Sequence, residues 1–261
     1  MTPVPKVVAH RGASAYEPEH TMAAFKRAVA DGADSIECDV RLTSDGEVVC
    51  VHDRDISRVS DGQGVVSEQT LDALQKADFG RWPSGRTWPG RSQNAPPESV
   101  VRLADLLTLV VDSGLGLAIE TKHPVRFGGA IESAVVRLLT QYGLADNRDD
   151  MRIRVMSFSY MAVRRMADLA PNLPTVFLAE FPHGINRGAI PSNARAIGPS
   201  IDVIRRDPYI VARAHEVGRE VHVWTVDDQS DALLCAELGV NAIITNRPSD
   251  VIAWLGEERT A

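Results

Sequence analysis

Lysine is scarce in this chain. Of 28 basic residues only Lys6, Lys26, Lys76 and Lys122 are lysines, an arginine bias that fits a GC-rich bacterial genome. Positive charge is not in excess either: 28 basic residues face 35 acidic ones, for a net charge of -7. With no basic stripe interleaved with aromatics, nucleic acid is excluded as a partner. Cysteine is limited to Cys38, Cys50 and Cys235, an odd number without C-x-x-C spacing, each inside an apolar run. Neither a disulfide framework nor a zinc site follows from that pattern; buried free thiols in a reducing compartment do. No run of 18 apolar residues occurs, and "MTPVPKVVAHRG" lacks a charged segment followed by an apolar stretch. Stable membrane insertion is not expected, and the chain reads as cytoplasmic.

What is present is alternation. Short β-branched runs ("KVVAHRG", "ADSIECDV", "EVVCVHD", "LGLAIETKH", "IRVMSFS", "TVFLAE", "AIGPS", "EVHVWTV", "NAIITN") are separated by segments of helical period such as "HTMAAFKRAVADG", "VVRLADLLTLVVDSG" and "GGAIESAVVRLLTQYG", each ending on glycine. Alternating strands and helices imply a parallel sheet. "ADSIECDV" and "EVVCVHD" read as a hairpin whose turn "TSDGE" brings the chain back toward His52; counting it as one bent unit leaves eight repeats, and "HRGAS" is not the glycine-rich turn that an open nucleotide-binding sheet would want. The expected fold is therefore an α/β (β/α)8 barrel, a single domain over 1–261. Residues 54–98, rich in Gly, Pro, Ser and Arg, break the rhythm and read as an irregular insertion after the second strand, near the mouth, with Trp82 and Trp88 packed in it.

Barrel sites are built at the C-terminal ends of strands. Those ends carry His10 and Arg11, Glu37 and Asp39, His52 and Asp53, Glu120, Lys122 and His123, Trp224, and Thr245 and Asn246. Glu37 and Asp39 are two apart on a strand and share a face. Together with Glu120 they make three inward carboxylates, which a hard divalent cation with oxygen ligands, Mg²⁺ or Ca²⁺, would reconcile. Arg11 and Lys122 beside such an ion suit a phosphate. His10 and His52 are the groups that can exchange protons near neutrality. His183 and His215 read as surface residues, and His222 as either inward on the strand of Trp224 or packed.

The ordered set "HRG", "PEHT", "ECDVRLTSDGEVVCVHD", "ETKHP", "SFS", "VWTV" and "TNRP" covers nearly the whole chain and resembles the glycerophosphodiester phosphodiesterase family, with "ETKHPVRFG" similar to its actinobacterial cytoplasmic members. The resemblance implies a TIM barrel with an insertion after the second strand, and hydrolysis of a small glycerophosphodiester to glycerol 3-phosphate and an alcohol. By motif position it implies Glu37, Asp39 and Glu120 as metal ligands, His10 and His52 as catalytic histidines, and Arg11 and Lys122 as phosphate contacts. Glu19 matches the acidic residue of the family's P-E-N-T motif and is expected to shape the site. His20 departs from that motif, which usually has Asn there. Phe158 and Trp224 are candidate walls of the pocket for the alcohol.

The head group, the choice between Mg²⁺ and Ca²⁺, the order of the two histidines, attack by water or by the neighbouring glycerol hydroxyl, and monomer or homodimer all stay open at this point. A phospholipase-D-like enzyme of the same fold would be expected to be secreted and to act on lipid. A non-catalytic phosphoester-binding barrel would be expected to have lost one of the five key residues, and all five are present.

Overall fold

The structure, a computed structural model, describes residues 4–81, 94–146, 152–180, 190–191 and 193–257. Trp82, Trp88, His183 and the end of the expected 54–98 insertion's loop, 82–93, lie outside the described residues.

Eight parallel strands close into a barrel: β1 (Lys6–His10), β2 (Ser35–Leu42), β4 (Gly116–Thr121), β5 (Ile153–Ser157), β6 (Thr175–Ala179), β7 (Ala196–Pro199), β8 (Glu220–Val223) and β9 (Ala242–Thr245). Hydrogen bonding runs in that order and returns from β9 to β1, so the sheet has no open edge among these strands. Buried on both faces, they read as continuous apolar runs; every residue of β4 and β6 is buried. Helices α1 (Met22–Ala30), α3 (Leu103–Ser113), α4 (Ala130–Gln141), α5 (Tyr160–Leu169), α6 (Ile201–Arg206), α7 (Tyr209–Glu216), α8 (Gln229–Glu237) and α9 (Pro248–Glu257) follow the strands. No described helix is long and apolar enough to cross a membrane.

Two layers of core result. Outward strand residues such as Ile36, Cys38, Leu117 and Ile119 pack under α1, α3 and α4, with Phe25, Leu106 and Leu107 buried against them. Inward residues Val8, Ala118, Met156, Val176, Leu178 and Ile244 fill the barrel and form a floor beneath its C-terminal mouth. The three cysteines are free and buried, as their apolar neighbours require.

The bent unit resolves into two strands. β2 outlasts its neighbours: Ser35 to Val40 pair with β4, while Val40, Arg41 and Leu42 pair with β3 (Val48–Cys50), which runs antiparallel. The turn between them is made by Gly46, whose φ of +86° favours glycine and whose N–H donates to the Thr43 carbonyl. β3 therefore points back toward the barrel and delivers His52 to its mouth.

The segment after β3 is less irregular than its composition suggests. Short turns at Ile56–Arg58 and Val66–Glu68 and the single-turn helix α2 (Leu71–Leu74) enclose a satellite core of Val51, Ile56, Val59, Val66, Leu74 and Phe79. Sparse apolar residues, not periodicity, build it, which is why the sequence pattern gave no element there.

Candidate active site

The parallel register sets the carboxylates side by side. His10 lies opposite Glu37 across β1 and β2, and Asp39 lies opposite Glu120 across β2 and β4. All three carboxylates are buried, Asp39 completely. Lys122 Nζ sits 2.9 Å from Asp39 and 2.7 Å from Glu120; Arg11 Nε is 3.1 Å from Asp39, and the Arg11 backbone N–H donates to Glu37 at 2.9 Å. Two cations do not neutralise three carboxylates. Burial first, then the charges of Asp39 and Glu120, push the Glu37 carboxyl well above its usual range, and burial with the Asp39 charge pushes Glu120 to about 8. Asp39 stays ionised despite burial because Lys122 and Arg11 flank it.

The motif around Glu19 has a local cause. Thr21 caps α1, its Oγ1 accepting the Ala24 N–H and donating to the Pro18 carbonyl, so the chain before the helix is fixed. Buried Glu19 then accepts from Arg11 Nη1 at 3.0 Å and from Arg58 Nη2 at 2.7 Å. Burial would raise its pKa, but the Arg58 hydrogen bonds and the Arg11 charge outweigh that and hold it at about 2. Gly12, with φ at +80°, sits so close to α1 that a Cβ would fall 2.7 Å from the Ala24 carbonyl carbon. The glycine of H-R-G is thus the residue that lets β1 turn against its own helix, and Arg11 before it also takes a positive φ of 59°.

Each catalytic candidate is tied at one ring nitrogen. His10 Nδ1 lies 2.8 Å from Asn246 Oδ1. The Asn246 amide nitrogen donates to Asp227 at 2.5 Å, so the amide oxygen must face His10 and His10 Nδ1 must be the donor. His52 Nδ1 donates to Asp53 at 2.7 Å, and Asp53 in turn is held by Arg58 Nε. Asp53 thus fixes the orientation of the His52 ring. Burial, then the Arg11 charge, lower the His10 pKa to about 4; burial also lowers that of His52, with Arg11 and Lys122 adding to it against Asp39 and Asp53.

These groups meet in one cavity of about 390 Å³. His10, Arg11, Glu37, His52, Glu120 and Lys122 line its polar side; Met156, Leu178, Ile244, Phe158 and Trp224 line the other. Phe158 and Trp224 meet edge to face at 5.3 Å, and Trp224 is anchored by its indole N–H to the Gly198 carbonyl. Glu19 and Asp39 stand behind the lining, against Arg11.

A divalent ion fits this donor set. Three carboxylates crowd two cations, the Asp39 oxygens meet Lys122 and Arg11 as ion pairs without a well-aligned hydrogen bond, and ligand atoms of Glu37, Asp39 and His20 lie within 4.8 Å of one another. Glu120 instead leans on Lys122. His20, the departure from the motif, has φ at +59° and its Nε2 accepts the Asp39 backbone N–H at 3.0 Å, so that lone pair is already used.

The sequence profile of the glycerophosphoryl diester phosphodiesterase family matches residues 10–250. The chain belongs to that family. As a glycerophosphodiester phosphodiesterase it is an enzyme, a hydrolase on a TIM barrel. It is 43% identical over 260 residues to "Probable glycerophosphodiester phosphodiesterase 1" of Mycobacterium tuberculosis, covering 98% of this chain and 94% of that one. It is 31% identical to a glycerophosphodiester phosphodiesterase of Bacillus subtilis, over 92% of this chain and 83% of the relative. A phosphodiesterase of Oleispira antarctica, solved in complex with its product sn-glycerol-3-phosphate, superposes with a TM-score of 0.85 at 25% identity, covering 97% of each chain.

Several members of this phosphodiesterase site were not picked out from sequence. Arg58 lies in the insertion, where no periodicity marks it; Asp227 and Asn246 act across the barrel closure. Asn246 did stand at a strand end, within "TNRP", and that was its available mark. The three described histidines other than His10, His20 and His52 lie outside that cavity's lining, His123 among them, bonded to Glu132. His215 is exposed on α7, and His222 is buried toward the start of β8, bonded to Arg154 and Glu220.

Proposed function

We propose that the chain hydrolyses glycerophosphodiesters to sn-glycerol 3-phosphate and an alcohol in the cytoplasm, with His10 and His52 exchanging protons and one divalent cation, Mg²⁺ or Ca²⁺, as cofactor. One observation carries the reading: two imidazoles, each tied through Nδ1 to a different partner, line the same cavity, with no partner at Nε2 among the described residues. The names of the relatives and the product held by the Oleispira antarctica enzyme support it.

Glu37, Asp39 and Glu120 are the residues that would hold the cation, which supplies positive charge against the phosphate oxygens when bound. Arg11 and Lys122 grip and neutralise the phosphate, and Glu19 with Arg58 holds Arg11 in place. Phe158 and Trp224 enclose an organic arm of the diester.

The groups behind the two histidines divide their roles. A neutral amide behind His10 leaves its Nε2 as the base that takes the proton of the attacking hydroxyl, whether of water or of the substrate's own glycerol. The Asp53 carboxylate behind His52 stabilises an imidazolium, which gives its Nε2 proton to the departing alkoxide. Release of glycerol 3-phosphate from a panel of glycerophosphodiesters, after chelation and re-addition of each ion, tests this. Release that returns with Mg²⁺ or Ca²⁺ is expected; no release from any diester with either ion would overturn it.

A further inference from the structure

A second cavity, of about 240 Å³, opens between the segment after His52 and the turn after β4. Its apolar lining includes Leu42, Val66 and Ile131, and its polar lining residues are three arginines, Arg41, Arg54 and Arg126, with Ser67. Other arginines of the mouth are matched: Arg11 pairs with Glu19 and Asp39, and Arg58 with Glu19 and Asp53. Arg41 and Arg54 have no carboxylate in ion-pair reach among the described residues. Arg41 donates to the His52 carbonyl, at 3.0 and 2.7 Å, and Arg126 has Glu68 at 4.0 Å.

Asp39, Asp53 and Glu120 act on Arg41 from beyond ion-pair reach, but no carboxylate lines the space itself, so three like charges border it and an anion entering it would be attracted. Arginine is also the side chain whose fork matches phosphate and carboxylate oxygens two at a time. The position of the cavity gives the anion a relation to the reaction. Arg41 lies two residues beyond Asp39 on the same strand face, and it touches the backbone of His52, the histidine assigned to the departing alcohol. Arg41 is thus the link between this cavity and the reacting one, lining the first while holding the backbone of a residue that lines the second.

We propose that this cavity is a second anion subsite, and that the preferred substrates are glycerophosphodiesters whose alcohol itself carries a phosphate or carboxylate. The inference rests on the phosphodiesterase reading above and goes beyond it by naming the substrate class. Cationic alcohols are disfavoured by the same three charges.

The full chain with its cation is assayed on bis(glycerophospho)glycerol, whose alcohol bears a second phosphodiester, on glycerophosphoglycerol, which is neutral there, and on glycerophosphocholine. The double variant Arg54→Gln, Arg126→Gln is compared with the native chain; neither residue lines the cavity of the reacting groups. The native chain is expected to favour the doubly anionic substrate by about tenfold or more in kcat/KM. The variant is expected to lose that preference through KM, with the neutral diester cleaved within about twofold of native and so certifying the fold. Equal kcat/KM for the three substrates, or a preference that survives in the variant, overturns the subsite. A cavity filled by free anion instead would show as millimolar inorganic phosphate altering neutral-diester cleavage in the native chain alone, without a substrate preference, and that also overturns the proposal. No cleavage of any diester would overturn the phosphodiesterase reading itself, a result distinguishable from the others.

Discussion

His10 and His52 are held alike at Nδ1 but by different chemistry, an amide in one case and a carboxylate in the other, and substitution separates the two. Replacing either by Ala is expected to lower turnover more than a hundredfold, the usual worth of a positioned acid or base. Near-normal turnover in both variants would remove them from the mechanism. Asp53→Asn should cost about tenfold or more with little change in KM, because the imidazolium of His52 loses its balancing charge. If KM alone moves, Asp53 serves substrate binding and not proton transfer. The carboxylate pair was legible from sequence because Glu37 and Asp39 stand two apart in an apolar run, where nothing else explains them. Arg58 and Asp227 were not, since their value depends on partners brought close only by the folded chain, Glu19 at a separation of 39 residues for Arg58.

Elements carry their own constraint. The turn after β1 is packed against α1 with no room for a methyl group at Gly12, and its φ is one that side chains avoid. Gly12→Ala should cost about 2–5 kcal/mol, the sum of left-handed strain and overpacking, and should disturb His10 and Arg11 together. Gly46→Ala is the matched control: its φ is also positive, but nothing lies within 4 Å of the added Cβ, so about 1–2 kcal/mol is expected. Chemical denaturation measures both, and equal losses would sink the packing argument for H-R-G. The barrel strands and α1, α3 and α4 were readable from period and from glycine stops. The return of β3 was readable as well, because the turn residues of "TSDGE" stand between two apolar runs and mark a hairpin.

At the scale of the molecule, the crowded carboxylates make stability depend on pH and on the ion. Glu120 takes up its proton at about 8 in the folded chain against an ordinary 4.5, chiefly through burial, and Glu37 is displaced in the same direction. The folded state therefore binds more protons than the unfolded one between these values. Without a divalent ion, the stability contributed by the protonated carboxyls is full below about 4.5 and is lost as pH rises through about 8. His10 and His52, whose pKa values burial lowers, act in the opposite sense over the same range, so the carboxyl contribution is isolated against Glu120→Gln: in chelator the native midpoint should fall more, or rise less, from pH 5.5 to 8 than the variant's, and adding Mg²⁺ or Ca²⁺ should raise the native pH 8 midpoint by more than the pH 5.5 one. An ion effect independent of pH would mean that these carboxylates do not hold it.

The bond between His10 and Asn246 joins residues 236 apart, from the first strand of the barrel to the end of the last. During synthesis β1 is made long before β9, yet the His10 ring meets Asn246 only once β9 seats between β8 and β1. With His10 as the proposed base, hydrolysis waits for barrel closure. A ribosome-stalled chain ending before Asn246 is expected to be inactive even with Glu37, Asp39 and Glu120 in place, and activity in that chain would remove Asn246 from the proposed mechanism.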